Sequence, residues 1–140
     1  MKNFISLSFL VLSLTLFSCK ETKKDDFPSK MEQVMAVHDE VMPKMGTLGK
    51  LVGELKSKVD TTEIGQQYET AMKDLQDAHA SMMEWMGNFG NRFDSDEILN
   101  GKALSEQKQQ WLDEEEEKVK ALRDQINTSI ENAKALLEKE

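Results

Sequence analysis

The segment IGQQYETAMKDLQDAHASMMEWMGNF, residues 64–89, decides the fold. Its apolar side chains recur at alternating steps of four and three residues, at Ile64, Tyr68, Ala71, Leu75, Ala78, Met82, Trp85 and Phe89. A second row lies beside the first and consists of Met72, His79, Met86 and Phe93. This spacing is typical of a wide apolar face on an α-helix, with a repeat close to that of coiled coils. It predicts a helix over about residues 62–90, capped within DTTE, residues 60–63.

Two further helices are predicted on either side of this segment. Upstream, the motif Ser29-Lys30-Met31-Glu32 fits a capping box and precedes apolar positions spaced by three and four residues, namely Met31, Val34, His38, Val41, Met45, Leu48, Val52, Leu55 and Val59. They predict a helix over about residues 29–59, which Pro43 should kink because it lacks an amide hydrogen. Downstream, a helix over about residues 104–139 is predicted by Leu104, Lys108, Trp111, Leu112, Glu115, Val119, Leu122, Ile126, Ile130, Ala133 and Leu137.

The sequence shows no strand pattern, so the predicted fold is all-α. A short connection between the first two helices favours an antiparallel hairpin, and the third helix can pack along it. We therefore expect residues 29–140 to form an antiparallel three-helix bundle, up-down-up, with coiled-coil-like packing. A second connection centred near residue 97 would place His79 level with about residue 116. Glu115, the only acidic residue on its helix's stripe, could then pair with His79 in the core, or it could rotate to solvent.

The N-terminus predicts export and lipidation. Lys2 precedes an apolar run at residues 4–17, too short for the roughly 20 residues of a membrane-spanning helix. The sequence LFSC, residues 16–19, resembles a bacterial lipobox. The resemblance implies that residues 1–18 are a signal peptide cleaved before Cys19, and that Cys19 carries a diacylglyceryl thioether and an N-acyl chain, such as palmitate. Cys19 is the only cysteine, so an intramolecular disulfide is excluded.

Charged residues dominate the segment after Cys19. Residues 19–28, CKETKKDDFP, are aperiodic and end in proline, which predicts a flexible tether. No aspartate follows Cys19, and the lysine-plus-acidic pattern resembles a signal for export to the outer membrane. Periplasmic and surface-exposed locations both stay open. The net charge of −8 argues against nucleic acid and against electrostatic adhesion to anionic lipid, which leaves the lipid as the membrane anchor.

Motifs of catalysis are missing from the sequence. It contains no Gly-rich phosphate loop, no H-E-x-x-H and no G-x-S-x-G, and its one cysteine is assigned to the lipid. We therefore predict a protein that is not an enzyme and that needs no cofactor besides the covalent lipid.

Methionine and histidine are concentrated in two windows. Apart from Met1, every methionine lies in residues 31–45 or 72–86, and each window contains one histidine. Thioether sulfur and imidazole are ligands that Cu(I) prefers. The candidate copper ligands are His38, His79, Met42, Met45, Met83 and Met86. Methionine is also a flexible filler of helical cores and of adaptable apolar grooves, and an exposed Met-rich groove would suit a periplasmic chaperone-like protein.

The lipobox, VMAVHDEVMPKMG (residues 34–46) and MMEWMGNF (residues 82–89) together resemble a family of short Bacteroidota lipoproteins commonly labelled "viral A-type inclusion protein". The resemblance implies an envelope lipoprotein and carries no known activity. We therefore expect a lipid-anchored helical bundle that acts as a non-enzymatic interaction or structural module, with an unidentified envelope protein as its partner. Copper binding and chaperone-like activity are the alternatives.

Overall fold

A computed structural model describes residues 28–139. The predicted signal peptide, Cys19 and the tether as far as residue 27 lie outside the described residues. The helices are α1 (Lys30–Val41), a 3₁₀ turn (Met42–Lys44), α2 (Met45–Lys56), α3 (Glu63–Arg92), α4 (Ser95–Leu99) and α5 (Glu106–Leu137). Residues 28–139 contain no strand, so the all-α prediction is confirmed.

The long helices begin where side-chain oxygens accept hydrogen bonds from free backbone amides. Ser29 and Glu32 form the predicted capping box at the start of α1. The Thr62 hydroxyl accepts from the Gly65 amide at the start of α3, and the Ser105 hydroxyl accepts from the Lys108 amide at the start of α5. Each cap satisfies a donor that the first helical turn leaves without a partner.

The three long segments pack up-down-up. Helix α3 contacts both α2 and α5, and α1 packs against α5. Lys30 pairs with Asp113 and Lys44 donates to Asn127, two contacts with the same sequence offset, so α1 and α5 run parallel. The His38 and Trp85 ring centroids lie 5.9 Å apart, as the antiparallel pairing of the first two segments requires. The predicted bundle is therefore confirmed.

The core forms where the three apolar stripes meet. Every member of the predicted α3 stripe is buried except Ile64, which is 41% exposed. Gly65 is buried instead, because the chain of Asp60 crosses directly over it. The buried positions of the other segments include Met31, Val34, Val41, Leu48, Leu51, Leu55, Leu112, Val119, Ile126, Ile130 and Ala133.

Pro43 divides the first segment. The prediction of one helix over residues 29–59 is wrong, because α1 ends at Val41 and α2 begins at Met45 after the 3₁₀ turn. Pro43 cannot donate the hydrogen bond that a continuous helix would make to Asp39, and its ring crowds the preceding turn. The backbone accommodates both effects by tightening into a 3₁₀ turn.

The second connection is as long as predicted, but its path changes the register of α5 against α3. It contains α4 and the non-helical residues 101–105. The Ser129 hydroxyl donates to the Asp74 carbonyl and Arg92 pairs with Glu114, so the connection is centred near residues 101–103 rather than 97. His79 therefore comes level with about residue 124, roughly 12 Å along the axis from the predicted level at 1.5 Å per residue.

Candidate binding cleft

A carboxylate lies in the core of the bundle. Glu115 occupies the apolar stripe of α5 between Leu112 and Val119, and its side chain is 0% exposed. The helical spacing that buries those two neighbours also turns Glu115 inward. Burying a carboxylate costs several kcal/mol unless cations and hydrogen bonds compensate it. The structure must therefore supply partners for both carboxylate oxygens.

Only one of those oxygens has partners within the described residues. Arg92, in the last turn of α3, places Nη1 2.9 Å from Glu115 Oε1. Lys118 Nζ lies 2.9 Å from the same oxygen. The Arg92 guanidinium also contacts Glu114 Oε2 at 2.7 Å and lies 5.3 Å from the centre of the Trp111 ring. Glu115 Oε2 is buried without a hydrogen-bond partner among residues 28–139.

A second buried polar atom is the indole nitrogen of Trp85. Trp85 is 5% exposed, and its Nε1 has no hydrogen-bond partner in the described part of the chain. Its ring is fixed by aromatic contacts, with the Phe89 centroid at 4.9 Å and the His38 centroid at 5.9 Å. A buried indole nitrogen usually finds an acceptor. Trp85 therefore has a rigidly placed donor that no residue among 28–139 accepts from.

Both residues line one cavity between α3 and α5. Its volume is about 460 Å³, within the range of small-molecule sites. The lining residues are Ser81, Glu84, Trp85, Asn88, Glu115, Lys118, Ala121, Leu122 and Gln125. A larger groove of about 620 Å³ lies at the other end of the same interface, and the polar side chains that line either site are mostly exposed to solvent. The smaller cavity is the better candidate because its lining also includes the buried residues Trp85 and Glu115.

The predicted pairing of His79 with Glu115 is wrong. Glu115 pairs with Arg92 and Lys118, whereas His79 is exposed and lines a groove together with Leu48 and Val52 on α2. The reason is the path of the second connection through α4, which leaves Glu115 short of the level of His79. The core position that the sequence indicated for Glu115 is nevertheless the one observed.

The candidate copper ligands occupy different surroundings. The His38 side chain is 15% exposed, and its Nδ1 lies 2.9 Å from Asp39 Oδ1. Because His38 packs on Trp85, it lies six residues from the level of His79, or roughly 9 Å along α3. The structure therefore keeps the two imidazoles in separate layers. No group of three or more His, Cys, Asp or Glu side chains suited to a metal occurs within residues 28–139.

The methionines are mostly packing residues. Met42, Met45 and Met86 are half-buried against the core, whereas Met83 is 50% exposed. The methionines named as candidate ligands therefore do not form one exposed Met-rich surface. Copper binding stays a prediction, with His79 and Met83 as its accessible pair.

The four consecutive glutamates of α5, residues 114–117, form ion pairs with different cations. Glu116 bonds to Lys120 at 2.6 Å, one of the two i, i+4 pairs that the sequence offers. The other pair at this spacing, Glu114 with Lys118, is replaced, because Lys118 binds Glu115 and Arg92 binds Glu114. Sequence reasoning missed Arg92 and Lys118. The signal available for them was an acidic residue on an apolar stripe, which requires a cation from a neighbouring turn.

Comparisons of the chain with protein-family models, with curated proteins and with solved structures gave no match. Among residues 28–139, no helix is both long enough and apolar enough to cross a membrane. The evidence on function is therefore the sequence and the geometry of the cleft.

Proposed function

We propose that the protein is a lipid-anchored, non-enzymatic binding module of the cell envelope, held at the outer membrane through Cys19. The cleft between α3 and α5 is its recognition site. The observation that carries this proposal is the pair of buried, unpartnered polar atoms, Trp85 Nε1 and Glu115 Oε2, on residues that line one cavity. An unpaired buried polar group costs about 1–3 kcal/mol. Each atom has less than 1 Å² of exposed surface, so a ligand must displace neighbouring side chains to complete its bond.

The lining of the cleft favours binding over catalysis. It contains hydroxyl, amide and charged side chains beside Ala121 and Leu122, which is a combination suited to holding a polar ligand. Its lysine, Lys118, is engaged with Glu115, and the lining includes neither histidine nor cysteine.

The anchor is tested by the substitution Cys19→Ser. Two or more acyl chains hold a protein stably at a membrane, so loss of the lipidated sulfur should release the protein. Fractionation of cells should move Cys19→Ser out of the membrane fraction, whereas the control Ser18→Ala, which keeps a small residue before the cysteine, should stay there. Membrane retention of Cys19→Ser would reject the anchor.

The binding role is tested by native mass spectrometry of the lipidated protein isolated from its own envelope in a mild detergent. The wild type should carry a small-molecule adduct that is lost in Glu115→Gln. The matched control is Glu117→Gln, because the Glu117 side chain is 78% exposed on the same helix. An adduct of equal population in all three proteins, or no adduct in the wild type, would contradict a binding function for the cleft.

A second candidate is Cu(I) binding on the exposed side of α3. The observation that favours it is that His79 and Met83 are both exposed and lie one helical turn apart, so imidazole and thioether project from the same face. Anaerobic Cu(I) titration against a weak competing chelator tests it. His79→Ala should weaken binding more than His38→Ala, and no binding beyond that of the chelator would exclude copper.

A further inference from the structure

An exposed leucine lies in the connection between α3 and α5. Leu99, the last residue of α4, is 76% exposed, more than any other large apolar side chain among residues 28–139. Ile98 and Leu104, in the same connection, pack against the core instead. Single exposed apolar side chains are common on protein surfaces, so the significance of Leu99 depends on where it lies in the molecule.

The α4 corner, residues 94–105, lies at the end of the bundle where α1 begins. A cavity of about 490 Å³ is lined by Ser29 and Lys30 at the start of α1 and by residues 101–104 of the α4 corner. The same end contains the start of α5, because Lys30 pairs with Asp113. Leu99 is therefore at the end of the bundle that follows the predicted lipid attachment site in the sequence.

The chain from Cys19 to Ser29 is short compared with the bundle. Its ten residue steps span at most about 36 Å even when fully extended. Helix α3 has 30 residues and is about 45 Å long, so the opposite end of the bundle is farther from Ser29 than Cys19 can be. A lipid on Cys19 therefore keeps the α4 corner near the membrane at every tilt of the bundle.

Hydrogen bonds within the α4 corner hold Leu99 in its exposed position. The Asn100 and Lys102 amides both donate to the Asp96 carbonyl, at 3.0 and 3.2 Å. Gly101 then turns the chain with a φ of 68°, a left-handed conformation that favours glycine. Because the turn is closed by its own backbone, little further ordering is needed when Leu99 contacts a surface.

The three carboxylates of the α4 corner each have a partner. The pairs are Asp94 with Lys102 at 2.7 Å, Glu97 with Lys108 at 2.5 Å, and Asp96 with the Asn100 side-chain amide at 2.8 Å. Three carboxylates against two lysines give no cationic surface for lipid phosphates. A contact between this corner and a membrane must therefore be apolar.

We propose that the α4 corner is a membrane-contact surface, in which the Leu99 side chain enters the boundary between lipid headgroups and acyl chains. Apolar side chains at this depth strengthen membrane binding in proportion to the apolar area they bury. The contact fixes which end of the bundle faces the bilayer, a property that a lipid on Cys19 alone does not determine. The inference rests on the proposed lipid anchor.

The test places a nitroxide spin label at either end of the lipidated full chain. Because the lipid occupies Cys19, Ala103→Cys and Ala135→Cys each add one free thiol. Both alanines are exposed, Ala103 in the α4 corner and Ala135 beside the first turns of α3 at the opposite end. The proteins are inserted into phosphatidylcholine vesicles, and electron paramagnetic resonance compares collisions of the label with oxygen and with a polar nickel chelate. The ratio of oxygen to nickel collisions rises with depth in the lipid, and it should be at least about threefold higher at position 103 than at position 135.

A second substitution connects this difference to the leucine. Leu99→Ser should lower the ratio at position 103 to that at position 135, and it should not affect urea unfolding because Leu99 is exposed. The matched control is Met83→Ser, since Met83 is 50% exposed on α3 outside the corner, and it should leave the ratio unchanged.

Three outcomes would overturn the inference. The first is an equal ratio at both label positions, which would leave Leu99 to a protein partner. The second is a high ratio at position 103 that persists in Leu99→Ser. The third is a high ratio only in vesicles that contain anionic phosphatidylglycerol, because the contact would then be electrostatic.

Flotation of the vesicles separates this inference from the proposed anchor. If the protein floats with the vesicles while the label at position 103 stays in water, the membrane contact is rejected and the anchor stands. If the protein does not float with the vesicles, the anchor is rejected, and the inference is rejected with it.

Discussion

Arg92 Nη1 lies 2.9 Å from Glu115 Oε1 and so joins the last turn of α3 to the buried face of α5. The Arg92 side chain is 29% exposed, whereas that of Glu115 is fully buried. The guanidinium also contacts Glu114 and the face of Trp111. Arg92 therefore compensates the buried Glu115 carboxylate from the α3 side, together with Lys118 from α5.

Removal of Arg92 should destabilise the bundle. Arg92→Met leaves Glu115 with Lys118 as its remaining cation, and loss of one partner from a buried pair costs up to 3–5 kcal/mol. Because Lys118 stays, we expect a loss of about 2 kcal/mol in the free energy of unfolding, measured by urea denaturation. The control Lys118→Met should cost less than about 1 kcal/mol, since that side chain is 51% exposed. A larger loss for Lys118→Met would contradict the assignment of Arg92 as the main partner.

Replacing Gly65 and Gly53 by alanine should change the free energy of unfolding in opposite directions. A Cβ at Gly65 would lie 2.7 Å from both the backbone nitrogen and the carbonyl oxygen of Asp60, so the α2–α3 corner must move. We expect Gly65→Ala to lower the free energy of unfolding by about 1–3 kcal/mol. Gly53, within α2, has open space around its Cβ position, and Gly53→Ala should raise stability by about 0.5–1 kcal/mol. Thermal or urea unfolding measures both changes, and a neutral Gly65→Ala would refute the close approach.

The charged Glu97 side chain in α4 should contribute less to the stability of the fold as the pH falls. Lys108 donates to Glu97 Oε2 at 2.5 Å and the Asp94 amide donates to the same side chain, which lowers the pKa of Glu97 below 4.5. A lowered pKa means that the charged form stabilises the folded state. The contribution is therefore full above the ordinary pKa and is lost as the pH falls through the lower folded value.

Glu97→Gln tests this dependence. The difference in unfolding free energy between the wild type and Glu97→Gln should be constant from about pH 6 to about pH 5 and should shrink as the pH falls below about 4.5. Glu131→Gln, an exposed change on α5, serves as the control and should show little effect at any pH. A difference that grows on acidification would show that the sign is wrong.

The sequence was most informative where one helix buries one periodic stripe. The α3 positions from Tyr68 to Phe89 are buried as predicted, and the capping box at Ser29 is present. Pro43 indicated a local break, although the backbone forms a 3₁₀ turn there rather than a kinked helix. Even the inward position of Glu115 follows from helical spacing.

Features that depend on contacts between helices were harder to predict from the sequence. Helix α4 has five residues, too few for a periodic signal, and the capping-box spacing of Asp94 and Glu97 was not taken as a helix start. The bounds of α5 were predicted within about two residues, but without α4 its register against α3 was wrong by about two turns, and Glu115 was paired with the wrong residue. Likewise, spacing gave no reason to prefer Gly65 over Ile64 as a core position, since that choice depends on how the chain of Asp60 crosses α3.

We propose that Glu115 is kept in the core for the cleft and not for the stability of the fold, and the unfolding free energy of the Arg92→Met/Glu115→Leu double variant tests this most directly. Replacing a buried ion pair by apolar side chains of similar size is often neutral or stabilising when the pair is not needed for the fold. We expect urea denaturation to show the double variant to be at least as stable as the wild type, while Arg92→Met alone is less stable. A double variant less stable than the wild type by about 2 kcal/mol or more would contradict this, because the pair would then be holding the bundle together.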